Sequence, residues 1–341
     1  MFLKNYWYIA AMPEEINREP MQRWILNEPI LFYRTEDGTP VAMHDACPHR
    51  SMPLSDGKLI GDTVQCPYHG LEFQPDGKCS KIPAQPNIPP RCRVRTYPLV
   101  EKWRWVWIWT GDPKRADADR IPDFHWNDDP DWTPTGGHFY IKCDYALLVD
   151  NLLDLSHETF VHASTIGNAA VAETPVRNEA DDHEVRVLRQ INNHPAPPLY
   201  VALKGFTGEI DRTQNITWTP PTNIVIESRS FPSGSNDPDM VLEYRVLNGI
   251  TPATPSATHH FWATPRNFSP EDEVTKAFHE GSVAAFSEDV EVLEKQQAMI
   301  EHQSAHPDGP PRWIDINADQ GGLSARRKVR QLLEVEQASG A

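Results

Sequence analysis

Two short segments, Cys47-Pro48-His49-Arg50 and Cys66-Pro67-Tyr68-His69-Gly70, carry the strongest chemical signal in this 341-residue chain. Each brings one sulfur and one imidazole, and 16 residues lie between His49 and Cys66. Four such donors could hold zinc, as Cys₂His₂ sites do. Zinc spacing, however, puts both cysteines in one segment and both histidines in another. One sulfur and one nitrogen per loop suits a two-iron cluster instead: one iron takes both cysteines, the other both histidines, and each loop touches both metals. Two neutral imidazoles in place of two thiolates raise the potential of such a cluster. Cys79, Cys92 and Cys143 have no such partners and read as ordinary buried thiols. Five scattered cysteines make no disulfide framework, which points to a reducing cytoplasm.

Outward from these segments, residues 5 to about 110 read as short strands punctuated by Asp37-Gly38, Asp56-Gly57 and Asp76-Gly77 turns. Trp103–Trp109 alternates large residues and suits a core strand, and Gly-Asp-Pro at 111–113 ends the pattern. The acidic, proline-punctuated stretch from Lys114 to Pro134 reads as a linker, giving domains of 1–113 and 114–341. Charge supports that division. Residues 1–113 carry equal numbers of acidic and basic side chains, so the net charge of −16 falls wholly on the second domain. A basic run at Arg91, Arg93 and Arg95 is either solvated strand-edge charge or a docking patch for an acidic redox partner. The acidic balance, without a basic tail, makes nucleic acid a poor partner. No apolar run approaches the ~18 residues that span a bilayer, and the N-terminus is a poor secretory signal.

The second domain alternates as strands over 183–266. A long helix is expected from Ser269, as N-cap, to about His302, and one more helix after Gln320. Tyr145 to about Ala163 is helix-like and apolar, yet carries Asn151, Asp154, His157 and His162. An offset of three puts Asp154 beside His157. His157 and His162 are five apart, so they converge only at a helix end or a bulge. The long helix offers Glu288, Asp289 and Glu291 as a carboxylate, and spacing does not choose among them. Two histidines and one carboxylate leave adjacent positions open on Fe(II), the facial arrangement of non-haem oxygenases.

A cluster module followed by Asn151-Leu-Leu-Asp154-Leu-Ser-His157 and His162, then an acidic helix, resembles the oxygenase component of the Rieske non-haem iron oxygenases over essentially the whole chain. Within that family it is similar to the single-length branch acting on vanillate, dicamba and toluenesulfonate. The resemblance implies an α+β protein: an N-terminal all-β Rieske [2Fe–2S] domain and a C-terminal helix-grip catalytic domain, an antiparallel sheet with long helices. It implies that Cys47, His49, Cys66 and His69 hold the cluster, and that His157, His162 and Asp289 bind a mononuclear Fe(II). It places Asn151 near the iron, has Asp154 bridge His157 to a Rieske histidine of a neighbouring subunit in a head-to-tail trimer, and puts His259 against a substrate carboxylate. The implied reaction is O-demethylation of a methoxylated aromatic acid with O₂ and electrons from a separate NAD(P)H reductase. Strand alternation sets His259 and Phe261 on one face and His260 and Trp262 on the other. Arg189, Arg212, Arg229 and Arg245 are further candidates for the carboxylate, which sequence does not rank.

Overall fold

The computed structural model describes residues 1–163, 166–167, 169–235, 237–307, 309–310 and 312–339. Its contacts form two compact units, Met1–Ile121 with Thr251–Thr254, and Pro122–Ile250 with Pro255–Ala338.

The first unit is built of small sheets. Trp105–Trp109 is wholly buried and lies between Trp7–Ala11 and Leu99–Lys102. Met21–Ile25, Glu28–Arg34 and Pro40–His44 form a second sheet; Lys58–Ile60, Thr63–Gln65, Glu72–Phe73 and Cys79–Lys81 form a third. The tryptophan strand begins two residues later than its alternation implies. Trp103 and Arg104 have φ of 57° and 60°, the left-handed pair that turns a tight hairpin. The unit also continues past Gly-Asp-Pro. Trp7 Nε1 donates to the Asp117 carbonyl at 2.7 Å, and the Arg120 guanidinium lies over the Tyr6 and Trp109 rings, so the start of the expected linker is fastened down.

The second unit holds a seven-stranded sheet in the order Gly136–Ile141, Ala257–Ala263, Leu242–Thr254, Asn223–Pro232, Glu209–Thr219, Val185–Pro195, Arg177–Ala180. Gly136–Ile141 runs antiparallel to Ala257–Ala263, and the strands from Leu242–Thr254 to Arg177–Ala180 are antiparallel in succession. Helices Tyr145–Leu153, Asp272–Ser304 and Gln320–Ala338 accompany it, as the α+β expectation has it. Leu148, Leu152 and Leu153 of the first helix bury with Val187, Ile216 and Trp218 of the sheet. At Gly321 an added Cβ would sit 2.6 Å from Val187 Cγ2, which explains glycine at the start of the last helix. The long helix starts at Asp272 rather than at Ser269. Ser269 has φ 43° and its carbonyl accepts from Arg266 Nη2, so it belongs to the turn before the helix and caps nothing.

One break in the helical run matters for function. Asp154 leaves the helical conformation at φ −122°, ψ 95°, and its carboxylate accepts from both the backbone N and the hydroxyl of Ser156. That cap closes Tyr145–Leu153 and starts a 3₁₀ turn, Leu155–His157, followed by the short helix Glu158–Val161.

Candidate active site

The two cysteine–histidine loops share one backbone design. In each, the cysteine N–H donates to a carbonyl five residues on (Met52, Leu71), and its own carbonyl accepts from the N–H four residues on (Ser51, Gly70). Both closing residues are left-handed, Ser51 at φ 55° and Gly70 at φ 71°. Cys47 and Cys66 are buried at the inner side, 2% exposed each. His49 and His69 lie exposed with ring centroids 4.5 Å apart. Among the described residues, no three of these four donors come within single-ion spacing of one another. Burial first, then the neighbouring Cys66 thiol, push the Cys47 thiol up to about 11, so an iron must displace its proton to bind. Of the remaining cysteines Cys143 is buried as expected, whereas Cys79 and Cys92 are only half-buried.

The break at Asp154 solves the spacing of the two histidines. His157 ends the 3₁₀ turn and His162 follows the short helix, so two imidazoles five residues apart face one carboxylate. His157 Nε2 lies 3.4 Å and His162 Nε2 3.2 Å from Asp289 Oδ1. Ligand atoms of the three lie within 4.8 Å of one another. Asp289 and Glu288 approach His162 from opposite sides of its ring: Glu288 Oε2 accepts from Nδ1 at 2.7 Å and leaves Nε2 for a metal. The third candidate, Glu291, is exposed and pairs with Lys295. Geometry thus chooses where spacing does not.

The donor chemistry fits a divalent cation. Burial would raise the Asp289 carboxyl, yet hydrogen bonds from both histidines hold it well below the usual range. Burial works against charged imidazole at His162, but Asp289 and then Glu288 prevail and push it up to about 9; at His157 burial is likewise outweighed, by Asp289 and then the Asp154 backbone, and its pKa is raised. Protons on the two rings occupy the place where a metal ion would supply the positive charge.

His157 Nδ1 is oriented by the backbone carbonyl of Asp154, 2.6 Å away, while the Asp154 carboxylate is taken up by Ser156. Asn151 lies beside the centre, its Nδ2 donating to Asp289 Oδ1 at 3.1 Å, and its Oδ1 is buried without a partner.

A cavity of about 90 Å³ opens onto the three ligands. Apolar side chains such as Leu155, Ile226, Val246 and Phe286 make much of its wall, and Arg212, Ser228 and Tyr244 add polar groups. His259 is not among its lining residues. Phe286, from the long helix that carries Asp289, packs on His260 and Trp262, whereas His259 faces His138, with Nδ1 3.0 Å from His138 Nε2. The alternation within the strand is as expected, but the histidine pointing toward the long helix is His260, which Asn248 holds at 2.9 Å. Of the four arginines, Arg212 alone lines the cavity. Arg229 and Arg245 pair with Glu243, and Arg189 donates to Gln214. Sequence reasoning also missed Glu158, Gln214 and Tyr244, which line the cavity; none carries a motif of its own, and only burial marks them.

Comparison with known proteins covers both units. Residues 6–98 match the Rieske [2Fe–2S] domain and residues 141–335 the vanillate O-demethylase oxygenase C-terminal domain. The chain is 37% identical to the toluene-4-sulfonate monooxygenase system iron–sulfur subunit of Comamonas testosteroni, over 98% of each chain. It is 38% identical to a vanillate O-demethylase oxygenase subunit of Pseudomonas, covering 99% of this chain and 96% of that one. The crystal structure of dicamba monooxygenase bound to 3,6-dichlorosalicylic acid superposes with a TM-score of 0.91 at 33% identity, over 99% of both chains. The cofactors are a Rieske [2Fe–2S] cluster and a mononuclear non-haem iron. Similarity of this extent, running unbroken through both metal centres, shows that the chain belongs to the Rieske non-haem iron oxygenases and is the oxygenase component of a Rieske monooxygenase.

Proposed function

We propose that this oxygenase removes the methyl group of a methoxylated aromatic acid of the vanillate type, releasing a phenol and formaldehyde. The observation that carries the reading is the His157/His162/Asp289 cluster at the wall of a largely apolar cavity. In this reading Cys47, His49, Cys66 and His69 hold the cluster within residues 1–113, and His157, His162 and Asp289 hold the mononuclear iron within 114–341. Bound there, iron supplies dioxygen activation, driven by electrons delivered through the cluster.

The chain's own groups prepare the site. Glu288 and the Asp154 carbonyl fix the two imidazoles by their Nδ1 atoms, so each presents Nε2. Asn151 holds the Asp289 carboxylate in place. Leu155, Ile226 and Phe286 keep water from an apolar ring. Insertion of one oxygen into a methoxy C–H bond gives a hemiacetal, which collapses to phenol and formaldehyde. A separate NAD(P)H reductase supplies the electrons, and the reaction runs in the cytoplasm. Among the described residues, no helix is long and apolar enough to cross a membrane. A head-to-tail homotrimer, with Asp154 near a Rieske histidine of the next subunit, completes the proposal. A sulfonated or chlorinated aromatic acid is the second reading, because relatives named for toluene-4-sulfonate and dicamba are 37% and 33% identical.

The test is formaldehyde release from a panel of methoxybenzoates by the purified protein with a reductase, NADH and O₂. Stoichiometric formaldehyde supports the reading; NADH consumption with ring-hydroxylated product and no formaldehyde overturns it.

A further inference from the structure

Behind the iron ligands the cavity wall contains a charge arrangement that the metal centre does not use. Glu158 directly follows His157 and is buried with two guanidinium groups, Arg189 and Arg212, at 4%, 4% and 2% exposure. Glu158 Oε2 accepts from Arg212 Nη2 at 3.3 Å, and its Oε1 accepts from Gln214 Nε2 at 2.8 Å. Gln214 in turn accepts from Arg189 Nη1. Two buried cations therefore share one buried carboxylate. Nε and Nη1 of Arg212 and Nε of Arg189 have no hydrogen-bond partner. Leaving a buried charged donor unpaired is costly, and such groups in native proteins call for an explanation. Arg212 also lies 5.0 Å over the Tyr200 ring, which holds its guanidinium plane while leaving edge N–H groups for hydrogen bonding.

Resting on the proposal that an aromatic acid is the substrate, we infer that Arg212 binds the substrate's acidic group and thereby selects aromatic acids over neutral aromatics. Arg212 shares its cavity with His157, His162 and Asp289, so an acid held by the guanidinium has its ring among Leu155, Ile226 and Phe286 and its far substituents toward the metal. A planar guanidinium suits a carboxylate through two parallel hydrogen bonds, and a sulfonate presents oxygens for the same donors. The other candidates for this role are engaged elsewhere: Arg229 and Arg245 with Glu243, His259 with His138.

The alternative is that Arg212 only neutralises Glu158 and so steadies the segment bearing His157. Binding of an isosteric pair, 3-methoxybenzoate and 3-methoxybenzamide, to the anaerobic, metal-loaded protein separates the two. By calorimetry, wild type prefers the benzoate, and Arg212→Gln weakens the benzoate about 10- to 100-fold while leaving the benzamide within about twofold. Equal loss of both ligands, or no loss of the benzoate, overturns the inference. Glu158→Gln gives a second, opposite readout: freeing Nη2 of Arg212 tightens the benzoate and not the benzamide, whereas weakening of both would leave Arg212 a structural counter-ion. If wild type binds neither probe, the aromatic-acid reading itself fails; if it binds the benzoate and Arg212→Gln does too, only the role of Arg212 fails.

Discussion

Glu288 provides a prediction whose size follows from geometry. Its carboxylate accepts from His162 Nδ1 at 2.7 Å, and the side chain is one-third exposed. A charge-assisted bond of that length fixes both the ring orientation and the tautomer, so the Nε2 lone pair faces Asp289. In Glu288→Ala the ring can rotate, and the proton on Nδ1 is no longer preferred there over Nε2, where it competes with the metal. Loss of such an outer carboxylate typically costs 10- to 100-fold in metal affinity, or about 1.4–2.7 kcal/mol. Partial exposure places Glu288 toward the lower end, because water replaces some of the lost bond. Glu288→Gln keeps an acceptor without the charge and should lose about tenfold or less. The assay is anaerobic Fe(II) titration, against a competing chelator, of protein stripped of mononuclear iron but retaining its cluster. The cluster's visible bands serve as an internal check on folding. Glu291→Ala, three residues on and paired with Lys295, is the control and should bind iron normally. Wild-type affinity in Glu288→Ala, or an equal loss in Glu291→Ala, would refute the reasoning.

Three further predictions concern the scaffold. Glu28 accepts from Lys4 Nζ at 2.6 Å, Tyr97 Oη at 2.7 Å and Arg95 Nη1 at 3.2 Å. Burial would raise its carboxyl, but these partners prevail and lower it. Its stabilisation is therefore present above the ordinary carboxylate pKa of ~4.3 and is lost as pH falls through the lowered folded value. Glu28→Gln should cost the first unit about 1–3 kcal/mol at pH 7, and the gap should shrink on acidification, as read by cluster loss in denaturant; a pH-independent gap would count against this. Gly321→Ala places a methyl 2.6 Å from Cγ2 of the stiff, buried Val187, so it should lower Tm although alanine favours helix by ~1 kcal/mol. Gly281→Ala, with nothing within 4 Å of the added methyl, should raise Tm by calorimetry.

Much of this molecule is legible along the chain because its chemistry is local. Cys47/His49 and Cys66/His69 each sit in one turn, so alternation of sulfur and nitrogen within a segment already separates a shared two-iron cluster from zinc. His157 and His162 signal a break in the helix because five residues do not fit one face, and Asp154 provides that break by capping the next turn. What stays hidden depends on which face of an element meets which neighbour. Glu288, Asp289 and Glu291 are equivalent acids until the long helix is rotated into place. Every residue of Ala257–Ala263 is buried, so no polar side marks the outer face and alternation alone does not say whether His259 or His260 turns toward the long helix. Arg212 stands out from Arg189, Arg229 and Arg245 only by lining the cavity, which sequence does not display. The linker at 114 looks polar and broken, yet Trp7 and Arg120 tie its first turns to the first unit.

The proposed reaction requires a third iron, apart from the two of the cluster, held by three side chains. Metal analysis of Asp289→Ala against wild type tests it most directly, with iron counted per chain and the cluster followed by its visible and paramagnetic resonance spectra. The prediction is a fall from about three irons to about two, with the cluster spectrum intact and turnover abolished. Full iron content with normal turnover would contradict the assignment of His157, His162 and Asp289 as the mononuclear centre.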